Sequence, residues 1–209
     1  EIMSSDWSSD VCSSDLQSMG FFGWEKAILF TNAHFIMMSH GFDAFQTGYA
    51  TADGVLVSEP QLFVSPESGL LLSGVCASWT GTELGFAWSD NRSGTHSLYF
   101  TRANELGERI SEDMQISGST PSFDPVLAYT GSEYGVVWHE GEPYAYHIHF
   151  NRMSSEGEWL DESVQLANSK RLPTYVVLTG LAWTGSEFGL AWYSADPDGL
   201  VFDRIGFCE

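Results

Sequence analysis

Residues 129–138 read YTGSEYGVVW, and the same ten-residue pattern stands at 79–88 as WTGTELGFAW and at 183–192 as WTGSEFGLAW. The copies lie 50 and 54 residues apart. The likeness runs on past the motif: Phe100, Phe150 and Phe202 correspond, as do Arg102, Arg152 and Arg204. Gly107 aligns with Gly157, Gln115 with Gln165, and Ile116 with Leu166. A more diverged copy starts near Trp24, with Thr31-Asn32 in the turn position, Tyr49 in the Phe position and Asp53-Gly54 near the Gly107 position. Self-similarity at a fixed period of this length marks a repeat architecture.

Each copy reads as four short strands. The first is Ala77–Thr80 and its equivalents; Gly81-Thr82, Gly131-Ser132 and Gly185-Ser186 then make two-residue hairpins with glycine first, as a type II′ turn requires. In the second strand Leu84, Phe86 and Trp88 face one side and Gly85 and Ala87 the other. Leu98, Phe100 and Arg102 mark the third strand, and Met114 to Ile116 the fourth. A sheet with one wet face alternates apolar with polar; here large alternates with small, so both faces are covered. Large side chains of one sheet then fill the shallow face of the next. Four-stranded antiparallel sheets stacked face to face predict an all-β fold, a partial β-propeller of about four blades at 24–75, 76–125, 126–179 and 180–209, the last incomplete. A parallel β-helix is the competing architecture.

The pattern W-T-G-S-E-Y/F-G-x-x-W, followed by F-x-R and a later glycine, resembles the propeller repeats of large secreted or surface-associated bacterial proteins of unassigned function, over residues 27–204. The resemblance implies the fold and export, hence a secreted or cell-surface location, and no chemistry. Residues 1–16 resemble something else: DWSSDVCSSDL at 6–16 is the in-frame translation of a library sequencing adapter. The expectation is that residues 1–16 are adapter-derived, that the propeller fragment occupies 17–209, and that further blades of the same chain and any signal region lie outside it.

The chain carries 8 Lys and Arg against 28 Asp and Glu, a net charge of −20. Excluding Glu1, Asp6, Asp10 and Asp15 leaves −16. That balance, with no basic stripe, argues against a nucleic acid partner. No apolar run is long enough to span a membrane. Two cysteines outside the adapter region, Cys76 and Cys208, allow one bridge, and Cys76 on an inner strand reads as buried and inert.

Candidate sites are sparse. His147 and His149 share a strand face near Glu140, as a metal site would need, but His149 occupies the packing position of Tyr99 and Val201. Asp196-Pro197-Asp198-Gly199 offers two carboxylates to Ca2+, short of the six or more oxygens of a full cage, and also reads as an ordinary hairpin turn, so no cofactor is expected and Ca2+ is only weakly supported. Strand direction separates two ends. The uniform one–two turns lie at one; the two–three loops (Ser89–Ser97, His139–His147, Tyr193–Gly199) and the blade connections, including Ala167–Gly180, lie at the other and vary. Variation there predicts a recognition end with ligand-binding candidates Asp90, Arg92, His139, Glu140, Tyr144, Lys170, Arg171, Asp196 and Asp198. Tyr146 and Tyr175 join Tyr144 as loop aromatics able to meet a ligand. Two functions stand: a non-catalytic binding or scaffolding propeller for a carbohydrate or protein ligand, or part of a propeller-type secreted hydrolase or lyase, such as a glycoside-active enzyme.

Two structural expectations complete the reading. Pairing Trp88 with Leu98 sets Leu84 opposite Arg102, Tyr134 opposite Arg152 and Phe188 opposite Arg204, with each Arg head near Glu83, Glu133 or Glu187. The blades form an open arc with apolar end faces; the alternative is a ring closed by Trp24–Phe30 pairing with blade four.

Overall fold

The structure, a computed structural model, describes residues 25–57, 60–64, 69–142, 146–167, 177–195 and 198–206. Residues 1–16 and Cys208 lie outside them. Every regular element among the described residues is a β-strand, so no helix is long and apolar enough to cross a membrane.

Blade one comprises β1 (Glu25–Phe30), β2 (His34–His40), β3 (Phe45–Thr51) and β4 (Gln61–Val64). Blade two comprises β5 (Leu72–Trp79), β6 (Leu84–Asp90), β7 (Ser97–Ala103) and β8 (Met114–Gln115). Blade three comprises β9 (Ser122–Tyr129), β10 (Glu133–Glu140), β11 (His147–Ser154) and β12 (Val164–Ala167). Blade four has three described strands, β13 (Val177–Trp183), β14 (Phe188–Ala195) and β15 (Asp198–Ile205). Each sheet is antiparallel in chain order. The first strands lie side by side, β1 by β5, β5 by β9 and β9 by β13. That is the inner layer of a propeller, and the chain is a partial β-propeller of four blades. The inner strands start at Leu72, Ser122 and Val177, ahead of the blade starts expected at 76, 126 and 180, because each pairs with the whole of its second strand.

The large-against-small pattern packs as expected. A Cβ placed on Gly85 would sit 2.5 Å from the Tyr134 hydroxyl of the next blade, and one on Gly135 would sit 2.4 Å from the Phe188 ring. Only glycine admits so close an approach. Three clusters fill the spaces between blades: Ile36, Phe45 and Phe63 with Phe86 and Trp88; Phe100 with Tyr134 and Trp138; Phe150 with Phe188 and Trp192. The repeat position tells where the stack ends. Phe100 is 0% and Phe150 5% exposed, whereas Phe202 is 66% exposed. Ile28 and Phe30 are exposed on blade one, and β1 pairs with β2, so it does not serve as the ring-closing strand.

The one–two turns close as hairpins, Thr80 N–H to Glu83 O at 2.9 Å and likewise at Thr130 and Thr184, with φ of 103°, 105° and 103° at Gly81, Gly131 and Gly185. The next pairing differs from expectation by one residue. Trp88 faces Tyr99, Ala87 faces Phe100, and Gly85, Gly135 and Gly189 face Arg102, Arg152 and Arg204. This shift moves each Arg to the small face. The physical reason is volume: with Phe100 beside Ala87 and Tyr99 beside Trp88, both faces stay fillable, whereas the expected register crowds Phe86 against Phe100. The Arg heads still find their acids, because Glu83 shares a face with Gly85. Arg102–Glu83 is 3.1 Å, Arg152–Glu133 3.2 Å and Arg204–Glu187 2.6 Å.

Cys76 lies on β5 with its thiol donating to the Ala87 carbonyl at 3.6 Å. Burial pushes its pKa up to about 12, against weaker lowering by the Ala87 and Leu127 backbone groups. The thiolate is the reactive form, so Cys76 is expected to resist a thiol reagent at pH 8 in the folded chain and to react once urea unfolds it. Rapid labelling without denaturant would contradict the burial.

Candidate functional site

Pairing of Leu72 with Asp90, Ser122 with Glu140 and Val177 with Tyr193 gathers the inner-strand starts and the two–three loops at one end of the blades. Here the inner strands β5, β9 and β13 carry surplus chain. Gly74 bulges between the pairs Ser73–Ser89 and Val75–Trp88, Asp124-Pro125 between Phe123–His139 and Val126–Val137, and Thr179 between Leu178–Trp192 and Gly180–Ala191. Bulges of this kind re-aim a side chain and are common beside functional sites.

Asp124 is the one non-glycine residue with positive φ, 50°, among the described residues. That conformation costs an L-residue about 1–2 kcal/mol and persists only where surroundings enforce it. Pro125 has no N–H, so the bulge leaves no donor stranded there. Against Asp124 lies Gly74, itself at φ 53°, with no room for a Cβ: it would come within 2.6 Å of Asp124 Cα. Two inner strands pinch together here.

The Ser73 hydroxyl donates to Asp124 Oδ1, and His139 Nδ1 stands 3.6 Å from Oδ2. His139 is 4% exposed by side chain and Asp124 41%, so the carboxylate keeps an open side. Burial alone would raise the Asp124 pKa. The hydrogen bonds from His139 and Ser73, with the charges of His139 and of His40 in blade one, outweigh it and hold the carboxyl below its ordinary value. His96 closes the rim, its Nδ1 3.2 Å from Ser89 Oγ and its ring 4.7 Å from Phe123, which in turn meets Tyr146 at 5.5 Å. Burial lowers the His96 pKa, partly offset by Asp90 and Asp124. One carboxylate is thus surrounded by groups from three blades.

The residues expected from sequence fare differently. His139 is brought to Asp124. Asp90 is wholly buried: it accepts from Trp88 Nε1 at 2.8 Å and from the Arg92 backbone at 3.0 Å, and pairs with the Arg92 guanidinium at 2.6 Å. Arg92 also reaches Asp113 at 2.8 Å and lies 4.5 Å over the Tyr99 ring. This pair braces the β6–β7 loop. Glu140 accepts from Trp138 Nε1 at 3.2 Å and stands 4.0 Å from His149 Nε2. His149 stacks on Trp138 at 5.6 Å just as Tyr99 stacks on Trp88, the packing role expected of it. His147 Nδ1 sits 3.1 Å from Gln165 Nε2. No group of three or more His, Cys, Asp or Glu able to hold a metal occurs among the described residues. Asp198 opens β15 opposite Ala195, while Tyr144, Lys170, Arg171, Asp196 and Tyr175 lie outside the described residues.

Asp124, Ser73, His40 and His96 were not singled out from sequence. One signal was present: at the 50-residue offset Asp124 stands where the preceding copy has Gly74.

No family model matches the chain, and no curated protein sequence matches it. Solved structures do. It is similar to a GH43 endo-arabinanase from Bacillus licheniformis, with TM-score 0.57 and 15% identity over 89% of this chain and 74% of that one. It is similar to a thermostable family-43 glycoside hydrolase, with TM-score 0.52 and 17% identity over 89% and 72%. It is also similar to an endo-arabinase from Bacteroides thetaiotaomicron VPI-5482, with TM-score 0.50 and 12% identity over 92% and 76%. At these identities the likeness concerns the fold.

Proposed function

We propose that this chain is the propeller of a glycoside-active protein, a hydrolase of pentose polymers such as arabinan, that meets its sugar chain at the end where the inner strands begin. The observation that carries this reading is Asp124: a solvent-open carboxylate on strained backbone, held ionised at the convergence of three blades. The fold shared with family-43 hydrolases supports it. Hydrolysis of a glycosidic bond takes two carboxyl groups, one as acid and one as base or nucleophile. Asp124, held below its ordinary pKa, suits the second role and not the first. A non-catalytic carbohydrate-binding propeller ranks second, since the three solved structures named above are glycoside hydrolases or arabinanases. Secretion accompanies either reading, because a polymer substrate lies outside the cell.

The test is reducing-end release from arabinan, with binding measured in parallel by calorimetry. Asp124→Asn is expected to cut release by about a hundredfold or more while leaving affinity within about tenfold. Binding without release by the parent chain would refute hydrolysis and establish the binding reading; neither binding nor release would refute both.

A further inference from the structure

We infer that Asp124 is the hydroxyl-accepting group of this site and that Ser73, from the preceding blade, and His139, from the neighbouring strand of the same blade, are positioning residues which hold its carboxylate toward a polyhydroxy ligand. Geometry carries this. Each carboxylate oxygen has one protein partner, Ser73 on Oδ1 and His139 on Oδ2, which leaves lone pairs on the open side. Both partners come from strands pinned to the same point: Ser73 precedes the Gly74 bulge that presses on Asp124, and His139 faces Phe123 across the β9–β10 ladder. A second observation points the same way. His139 Nε2 is buried and has no hydrogen-bond partner among the described residues. With Nδ1 turned to Asp124, a neutral ring offers Nε2 as an acceptor and a charged ring offers it as a donor. An unpaired buried polar atom is costly, and the ring bears that cost with its Nδ1 held toward Asp124, as a positioning role requires.

The charged and titratable groups that face Asp124 are His139 from β10, His40 from β2 and His96 from the β6–β7 loop. With its folded-state pKa lowered, the carboxylate is ionised above its ordinary range and loses its role as pH falls through the lowered value. Removing a partner therefore moves the titration upward.

The ligand class rests on the carbohydrate reading; the positioning role does not, and the experiment separates them. Carboxyl-carbon NMR of the full chain gives the Asp124 titration, and calorimetry gives affinity for arabinotriose. His139→Ala and Ser73→Ala are each expected to raise the Asp124 midpoint by about one pH unit and to weaken arabinotriose binding about tenfold. His139→Asn, which keeps an N–H near the Nδ1 position, is expected to restore most of both. An unmoved midpoint in Ser73→Ala, with native near-UV dichroism, would overturn the positioning role even if His139→Ala fails to fold. A midpoint that moves while neither parent nor variants bind arabinotriose would overturn the ligand class alone.

Discussion

Replacing Gly74 by alanine is expected to destabilise the chain by about 2–5 kcal/mol, seen as a large fall in the urea midpoint of tryptophan fluorescence. Two costs add. Gly74 has φ 53°, a left-handed conformation that costs an L-residue about 1–2 kcal/mol. The new methyl would also stand 2.6 Å from Asp124 Cα, a backbone atom that cannot swing aside, and overpacking of this kind costs about 1–3 kcal/mol. Gly54→Ala is the control. Gly54 also has positive φ, 86°, but nothing lies within 4 Å of its virtual Cβ, so it pays the conformational part alone. Equal effects at the two positions would mean that the pinch between β5 and β9 is not tight.

Replacing Asp90 by alanine is expected to lose about 3 kcal/mol. The carboxylate is wholly buried and ties three groups together: the Trp88 indole, the Arg92 backbone and the Arg92 guanidinium. Its removal leaves Trp88 Nε1 buried without an acceptor. Arg92 keeps Asp113 and some contact with water, which places the loss at the low end for a broken buried pair. Asp90→Asn, which keeps an acceptor for the indole, is expected to lose less. A neutral outcome for Asp90→Ala would return Asp90 to the ligand-binding candidates that its loop position first suggested.

The contrast between Asp90 and Asp124 shows what could be read from sequence. Repeats, strand order, hairpin turns and the tyrosine or phenylalanine over the preceding sheet's glycine were legible, because each depends on alternation along one strand or on a residue that admits a single backbone conformation. The register between second and third strands was not. It depends on the summed volume of both faces, and a loop of six residues between Asp90 and Ser97 does not dictate it. The end bearing the candidate site was also legible, from strand direction. Its carboxylate was missed because attention fell on loops, where charges are expected, whereas Asp124 sits inside an inner strand and reaches its partners through a bulge. Conversely, Asp90 and Glu140 stand where a loop begins yet turn inward to the indoles two residues before them. Sequence position told which end, and side-chain pairing told which residues face outward.

The bulge in every described inner strand from β5 onward has a consequence for how such a protein changes over time. The surplus residue takes no place in the ladder, and the pairs on either side of it form in all three blades although a different residue stands there in each. In an ordinary strand position a new side chain must suit one face of the sheet and its cross-strand neighbours. The bulge residue has no cross-strand partner, and the copies hold glycine, aspartate and threonine there. Gly74 is held to glycine by the pinch against Asp124, but in blades three and four the bulge gives a position outside the ladder, so a new chemistry can enter by exchange of a single residue while the repeat that builds the walls goes on being copied unchanged.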